Sequence, residues 1–180
     1  MTVKLYNTMA RKKEEFIPIN SKNVGLYTCG PTVYNFVHIG NLRSFVFEDI
    51  LKRTLKYLGY KVTQVMNLTD IDDKTIRDSI AAGIPLNKYT KKYKDAFFED
   101  IDNLRFDKAE IFPAATDHIP EMIELIKVLI DKGYAYQSDD GSIYFSISKF
   151  PKYGRLARID MKNQRTGIRI KDDEYEKDSV

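Results

Sequence analysis

Residues 24–41 read VGLYTCGPTVYNFVHIGN, and this stretch decides the fold because it joins a short β-prone run to the start of a helix. Apolar side chains then recur near helical period from Leu42 to Leu58, and Gly59 provides a stop. Residues 61–66 alternate as a second strand. Strand, helix and strand in this order predict a βαβ unit with two parallel strands and a right-handed crossover.

The ends of the two predicted strands are the first functional signal. In open parallel sheets ligands bind beyond the carboxyl ends of the strands, where residues 28–41 and 67–73 lie. A helix N-terminus attracts phosphate, His38 can donate to a phosphate oxygen, and Gly40 allows a ligand close to the backbone. Asn41 suits the N-cap position, and its amide is a donor as well. Spacing alone leaves two interpretations open, a phosphate site or an ordinary strand-to-helix turn.

The second half of the chain predicts helices and a hairpin. The spacing of apolar side chains indicates a short helix over 74–82, an amphipathic helix over 89–104 and a helix that opens at Pro120. Residues 134–137 and 142–146 are typical of the two arms of a hairpin. Toward the C-terminus periodicity is weak and no closing element is evident, so we expect a C-terminally truncated chain.

Composition predicts an ordinary soluble globular protein, with 43% hydrophobic and 31% charged residues. No stretch approaches the roughly 18 consecutive apolar residues that span a bilayer, so we expect no membrane association. A single cysteine and the lack of a signal-peptide run predict a reducing, cytoplasmic location. The net charge of +3 does not by itself identify a nucleic-acid binder.

Two charged clusters and the lone cysteine each allow two interpretations. Residues 70–73 carry three carboxylates, which suit either a Mg²⁺ site or the dipole of a helix N-terminus. Cys29 is either a small inert hydrophobe behind a buried strand or a functional thiol. The second cluster is basic and forms either a solvated face or an RNA contact. It consists of Lys88, Lys91, Lys92 and Lys94.

The run from Leu26 to Lys74 resembles the start of the cysteinyl-tRNA synthetases, a class I aminoacyl-tRNA synthetase family. The opening LYNTMARKKEEFIPI and the later fragments PAATDHIPEMIELI, KGYAY, SIYFSISKFPKYGRL and TGIRI resemble the same family in the same order. The resemblance therefore covers nearly the whole chain. The class signature His-Ile-Gly-His stands here as His38-Ile39-Gly40-Asn41, and asparagine at the last position also occurs within the cysteinyl family.

This resemblance implies an α/β fold. Residues 1–75 would form the first half of a Rossmann-like class I nucleotide-binding fold with a parallel sheet. Residues 76–180 would form most of a connective insertion, an α+β subdomain that helps to receive the acceptor end of the tRNA. The basic cluster gains plausibility as an RNA contact from that position. The second half of the catalytic domain would lie C-terminal to this chain.

The resemblance also implies which residues form the site. The predicted catalytic pair is His38 and Asn41. The predicted ATP contacts are Pro31, Thr32, His38, Gly40 and Asn41, with Mg²⁺ on the phosphates. The predicted contacts of L-cysteine are Gly30, Thr69 and, through zinc, Cys29. The aspartates that follow Thr69 are expected to shape the loop beside the pocket.

Cys29 corresponds to one of four zinc ligands in the family, whose metal binds the thiol of the substrate. The other three ligands, a Cys, a His and a Glu, belong to the second half of the catalytic domain. This chain has one cysteine, and its other histidine, His118, lies outside the ligand motifs. It also lacks the Lys-Met-Ser-Lys-Ser loop and any tryptophan. We therefore expect an incomplete zinc site and no activity from these 180 residues without the missing half.

The function implied by the resemblance is the ATP-dependent attachment of cysteine to tRNA(Cys) through a cysteinyl-adenylate. Two alternatives remain open at this point. A related ligase of the mycothiol-biosynthesis type joins cysteine to an amino-sugar through the same adenylate. The second alternative is a non-catalytic half-domain that binds nucleotide or RNA.

Overall fold

The computed structural model describes residues 3–159. In chain order, the strands are β1 (Lys4–Asn7), β2 (Lys12–Glu15), β3 (Asn23–Thr28), β4 (Lys61–Met66), β5 (Ala135–Gln137) and β6 (Ile143–Phe145). The helices are α1 (Ile39–Tyr57), α2 (Asp73–Ala82), α3 (Leu86–Asn103) and α4 (Ile119–Asp131). The described chain forms two compact units, one over 17–121 and one that combines 3–16 with 122–159. The assignment of 1–75 to a Rossmann half and 76–180 to an insertion stays a prediction.

The first unit is built on the predicted βαβ motif. β3 and β4 pair in parallel, with Val24 opposite Val62 and Thr28 opposite Met66, and α1 connects them. Isolated parallel bridges from Val65 to Ile111 and from Leu68 to Ala114 place residues 111–114 along the other edge of β4. β4 is therefore flanked on both sides, and its carboxyl end lies inside the unit.

A small apolar core fixes the helices of this unit to the sheet. The rings of Phe45 in α1 and Phe97 in α3 meet edge to face, with centroids 5.5 Å apart. Burial of each phenyl ring contributes about 2 kcal/mol, because its apolar surface leaves water. Met66 at the end of β4 lies in the same cluster, so the core holds the strand ends in place. The remaining buried members are Leu68, Ile101 and Ala114.

α1 begins earlier than the apolar spacing predicts, and the prediction of Asn41 as its N-cap is wrong. The N-cap is His38, whose Nδ1 accepts a hydrogen bond from the backbone N–H of Gly40 at 3.0 Å. Asn41 occupies the third helical position, and its Oδ1 accepts from the backbone N–H of His38 at 3.2 Å. The two side chains form a reciprocal capping box, and the helix therefore begins about one turn before Leu42.

The second unit contains two hairpins. β5 and β6 pair antiparallel as predicted, and their turn includes Gly141 at φ 88°. β1 and β2 form a hairpin that the apolar pattern did not reveal, because both strands are short and polar. α4 has Pro120 in its first turn, in agreement with the predicted opening. Within residues 3–159 no helix is both long and apolar enough to cross a membrane.

Candidate functional site

The chain segments that leave β3 and β4 stay paired beyond the strands. The backbone N–H of Thr69 donates to the carbonyl of Pro31 at 3.0 Å, and the N–H of Val33 donates to the carbonyl of Thr69 at 3.0 Å. Thr32 and Thr69 thus face each other across a parallel bridge. The structure brings Pro31, Thr32 and Thr69 together. All three were expected at the carboxyl ends of the two parallel strands.

Asn67 organises this edge and was not among the predicted site residues. Its Oδ1 accepts from the backbone N–H of Gly30 at 3.1 Å and from the hydroxyl of Tyr27 at 3.1 Å. Its Nδ2 donates to Oγ1 of Thr69 at 3.1 Å. A carboxamide directly after a buried strand was the available signal, because its oxygen can accept hydrogen bonds while its NH2 group donates others.

Gly30 is required at its position for a steric reason. A Cβ on residue 30 would lie 1.9 Å from the carbonyl oxygen of Asn67 and 2.9 Å from Cγ of Met66. The backbone of the two segments can approach this closely only without a side chain. The lack of a side chain at Gly30 therefore lets the segment after β3 pack directly against the end of β4.

Cys29 lies at the carboxyl end of β3, and its thiol is exposed. Its Sγ lies 3.7 Å from the carbonyl oxygen of Gly30, at the limit of a weak contact. Its accessible thiol suits a metal ligand and argues against the buried-hydrophobe interpretation. Within residues 3–159 no three His, Cys, Asp or Glu side chains cluster as a metal site. The assignment of Cys29 as one of four zinc ligands stays a prediction.

His38 combines two tasks through its two ring nitrogens. Because Nδ1 accepts from the N–H of Gly40, a neutral ring carries its proton on Nε2 and can donate there to a ligand oxygen. Gly40 permits this geometry, since a Cβ at that position would lie 2.7 Å from Cε1 of His38. Asn41 uses its Oδ1 in the capping box, which leaves its donating Nδ2 to contact a ligand.

Helices α2 and α3 hold the loop between Pro31 and His38. The hydroxyl of Tyr89 in α3 donates to the carbonyl of Tyr34 at 2.9 Å, and Nζ of Lys74 in α2 lies 5.1 Å from the centre of the Tyr34 ring. A hydrogen bond with Tyr93 raises the pKa of Tyr89 to about 12, with a further contribution from burial. A tyrosine hydroxyl is protonated at physiological pH with or without this shift, and its hydrogen bond to Tyr34 joins the loop to α3.

Two members of the acidic cluster after Thr69, Asp70 and Asp72, form hydrogen bonds within the protein, and only Asp72 does so at a helix N-terminus. Asp70 is 2% exposed and accepts from the backbone and hydroxyl of Thr116 at 2.9 and 2.6 Å, and from Lys94 at 2.5 Å. Burial raises the pKa of Asp70, but the bonds from Lys94 and Thr116 together outweigh it and lower the pKa below its usual value. Asp72 caps α2 by accepting from the N–H of Thr75 at 2.8 Å.

Comparison with solved structures gives the class of protein that this fold defines. The methionyl-tRNA synthetase of Mycobacterium tuberculosis in complex with methionyl-adenylate superposes with a TM-score of 0.58 at 20% identity, over 64% of this chain and 23% of that chain. The LeuRS of Agrobacterium radiobacter K84, in a ternary complex, superposes with a TM-score of 0.56 at 22% identity, over 63% of this chain and 15% of that chain. The fold is that of the class I synthetases.

The sequence identifies the family within that class. The family described as tRNA synthetases class I (C) catalytic domain matches residues 15–180, and the chain belongs to this family. The cysteine–tRNA ligase of Protochlamydia amoebophila is 56% identical over 180 residues, which are 99% of this chain and 38% of that protein. The cysteine–tRNA ligase of Brachyspira hyodysenteriae is 55% identical, and the match covers 97% of this chain and 37% of that protein. The chain spans little more than a third of the length of these relatives.

Proposed function

We propose that this chain supplies the ATP-binding part of an enzyme that attaches L-cysteine to tRNA(Cys). The single observation that carries the proposal is the His38 cap at the N-terminus of α1, beside the paired ends of β3 and β4. A helix N-terminus with an Nε2 donor suits a nucleotide phosphate. The two relatives described above are both named cysteine–tRNA ligases, which favours this substrate over an amino-sugar.

The first chemical step is adenylate formation. The carboxylate of cysteine attacks the α-phosphate of ATP, the bond to the β-phosphate breaks, and cysteinyl-adenylate and pyrophosphate form. A carboxylate is already ionised, so no strong base is required, and catalysis consists of positioning and charge stabilisation. His38 and Asn41 would donate to phosphate oxygens, and Mg²⁺ would neutralise charge on the phosphates.

The cysteine pocket would lie against Gly30 and Thr69. Asn67 holds both residues through its side chain, so the pocket wall is fixed before substrate arrives. Cys29 would hold zinc together with ligands from outside this chain. Zinc, when bound, would coordinate the substrate thiol and disfavour serine, because a hydroxyl is a poorer ligand than a thiolate. The cytoplasmic location stays a prediction from the cysteine content.

A chimera tests the proposal. Residues 1–180 of this chain would replace the matching segment of the Protochlamydia amoebophila ligase, and the measurements would be cysteine-dependent ATP–pyrophosphate exchange and charging of tRNA(Cys). We expect both activities, and neither from the relative's remaining segment alone. A folded chimera without exchange would contradict the proposal, while exchange without tRNA charging would favour the amino-sugar alternative.

A further inference from the structure

A cation–aromatic patch, made of Phe36, Lys92 and Tyr93, lies beside the ATP-binding loop. The rings of Phe36 and Tyr93 meet edge to face with centroids 5.2 Å apart. Nζ of Lys92 lies 5.2 Å from the centre of the Phe36 ring and 5.4 Å from that of Tyr93. Phe36 is nevertheless 55% exposed, so these contacts cover only part of its ring.

Two lysines of the basic cluster form ion pairs with carboxylates of the protein, whereas Lys92 contacts aromatic rings. Lys94 pairs with Asp70 at 2.5 Å, and Lys91 pairs with Asp95 at 2.6 Å. Lys92 contacts ring faces and, among residues 3–159, forms no ion pair with a carboxylate. Its ammonium group therefore remains available to an external anion beside an exposed aromatic ring.

This combination suits single-stranded RNA. Unpaired bases stack on exposed aromatic rings, and lysines bind the phosphates between them. A double helix offers no free base face to such a ring, and a free phosphate makes no use of it.

The position of Phe36 indicates which part of an RNA would reach it. Phe36 precedes His38 by two residues, so their Cα atoms are at most about 7 Å apart. The acyl acceptor is the 3′ end of the tRNA, and it must reach the adenylate beside His38. The last unpaired nucleotides would therefore come close to the loop that carries Phe36.

We propose that Phe36, Lys92 and Tyr93 bind the unpaired 3′ end of the tRNA, with a base stacked on Phe36 and a phosphate at Lys92. This inference rests on the proposed function, because it requires the aminoacyl group to be transferred at the His38 site. It goes beyond that function by naming the residues that guide the acceptor end. It also assigns the RNA contact to Lys92 and not to its neighbours Lys91 and Lys94.

The test compares Phe36→Leu, Lys92→Gln and a control, Lys91→Gln, in the chimera described above. Lys91 is the adjacent lysine on α3, and among the described residues it forms an ion pair with Asp95 rather than a contact with an aromatic ring. We expect the KM for tRNA(Cys) to rise about ten-fold in Phe36→Leu, since one stacked base is lost. For Lys92→Gln we expect a similar rise in KM. The slope of log KM against log salt concentration should also become less steep by about 0.7, because one phosphate contact is lost.

Adenylate formation without tRNA provides the internal reference. ATP–pyrophosphate exchange should be unchanged in all three variants, and Lys91→Gln should also keep the wild-type KM for tRNA. Affinity for a tRNA trimmed of its unpaired 3′ nucleotides should be the same in Phe36→Leu as in the wild type. An unchanged KM in Phe36→Leu and Lys92→Gln would overturn the inference, as would an equal loss of exchange. Failure of the unsubstituted chimera would instead count against the proposed function.

Discussion

Nζ of Lys94 in α3 lies 2.5 Å from Oδ2 of Asp70, the buried aspartate that follows β4. One member of the basic cluster and one member of the acidic cluster therefore neutralise each other inside the protein. This pair argues against a Mg²⁺ site at residues 70–73 and against Lys94 as an RNA contact. It connects α3 to the loop that carries Thr69, so a charge pair positions one wall of the proposed cysteine pocket.

Asp70→Asn should destabilise the chain by about 3 kcal/mol, because removal of one partner leaves Lys94 without its counter-ion. Urea unfolding at pH 7 would measure this loss. Asp95→Asn is the matched control, since the Lys91–Asp95 pair on the same helix is exposed on both sides. The control should cost less than about 0.5 kcal/mol. Equal losses in the two variants would show that burial of Asp70 is unimportant.

The same substitution predicts a pH dependence. The pKa of Asp70 in the folded protein lies below its ordinary value of 3.8. Ionised Asp70 therefore adds its full contribution to the free energy of unfolding at pH values above its pKa in the unfolded chain. That contribution is lost as the pH falls through its pKa in the folded protein. The difference in stability between wild type and Asp70→Asn should be constant from pH 7 to about pH 5 and should shrink below about pH 4. A difference that persists at pH 2 would contradict this assignment.

His38→Ala and His38→Asn should separate the structural task of His38 from its chemical task. Alanine removes the cap of α1 and should cost about 1 kcal/mol, whereas asparagine retains a capping oxygen and should cost little. Both variants lack the Nε2 donor, so in the chimera both should lower the rate of ATP–pyrophosphate exchange by about 10²-fold or more. Wild-type exchange in His38→Asn would show that Nε2 does not contact the phosphates.

Gly30→Ala should disrupt the edge of the sheet, because the new Cβ would overlap the carbonyl oxygen of Asn67. We expect a loss of about 2–3 kcal/mol in urea unfolding and a higher KM for cysteine in the chimera. Gly25→Ala in β3 is the control, since its Cβ would meet nothing within 4 Å. That variant should be as stable as the wild type. A silent Gly30→Ala would mean that the two strand ends can separate freely.

Glu48→Gln should stabilise the chain at neutral pH. Burial raises the pKa of Glu48 despite its hydrogen bond with Thr28, and among residues 3–159 its Oε2 has no hydrogen-bond partner. A raised pKa means that ionised Glu48 opposes folding above its ordinary pKa of 4.5. Removal of the charge should raise the unfolding temperature at pH 7 by about 2 °C. The gain should disappear near pH 4, and a gain that is independent of pH would refute the explanation.

The secondary-structure elements of the chain were not equally predictable. The parallel βαβ unit follows from apolar periodicity, which is a local property that β3, α1 and β4 express strongly. The start of α1 was misplaced because a histidine cap leaves no apolar signal. The β1–β2 hairpin was missed because its strands are short and polar, and its pairing is fixed by contacts across the turn.

The sequence by itself determined the family and the residues at the carboxyl ends of the parallel strands, because motif order and local periodicity are written along the chain. Only the tertiary structure decided which of those residues meet. Asn67 bonds to Gly30, 37 positions before it in the sequence, and to Thr69, two positions after it. Asp70 pairs with Lys94, 24 positions further along the chain. Local propensity carries no information on such pairs. They form because a buried polar group must find a partner, and packing alone decides which one lies within reach.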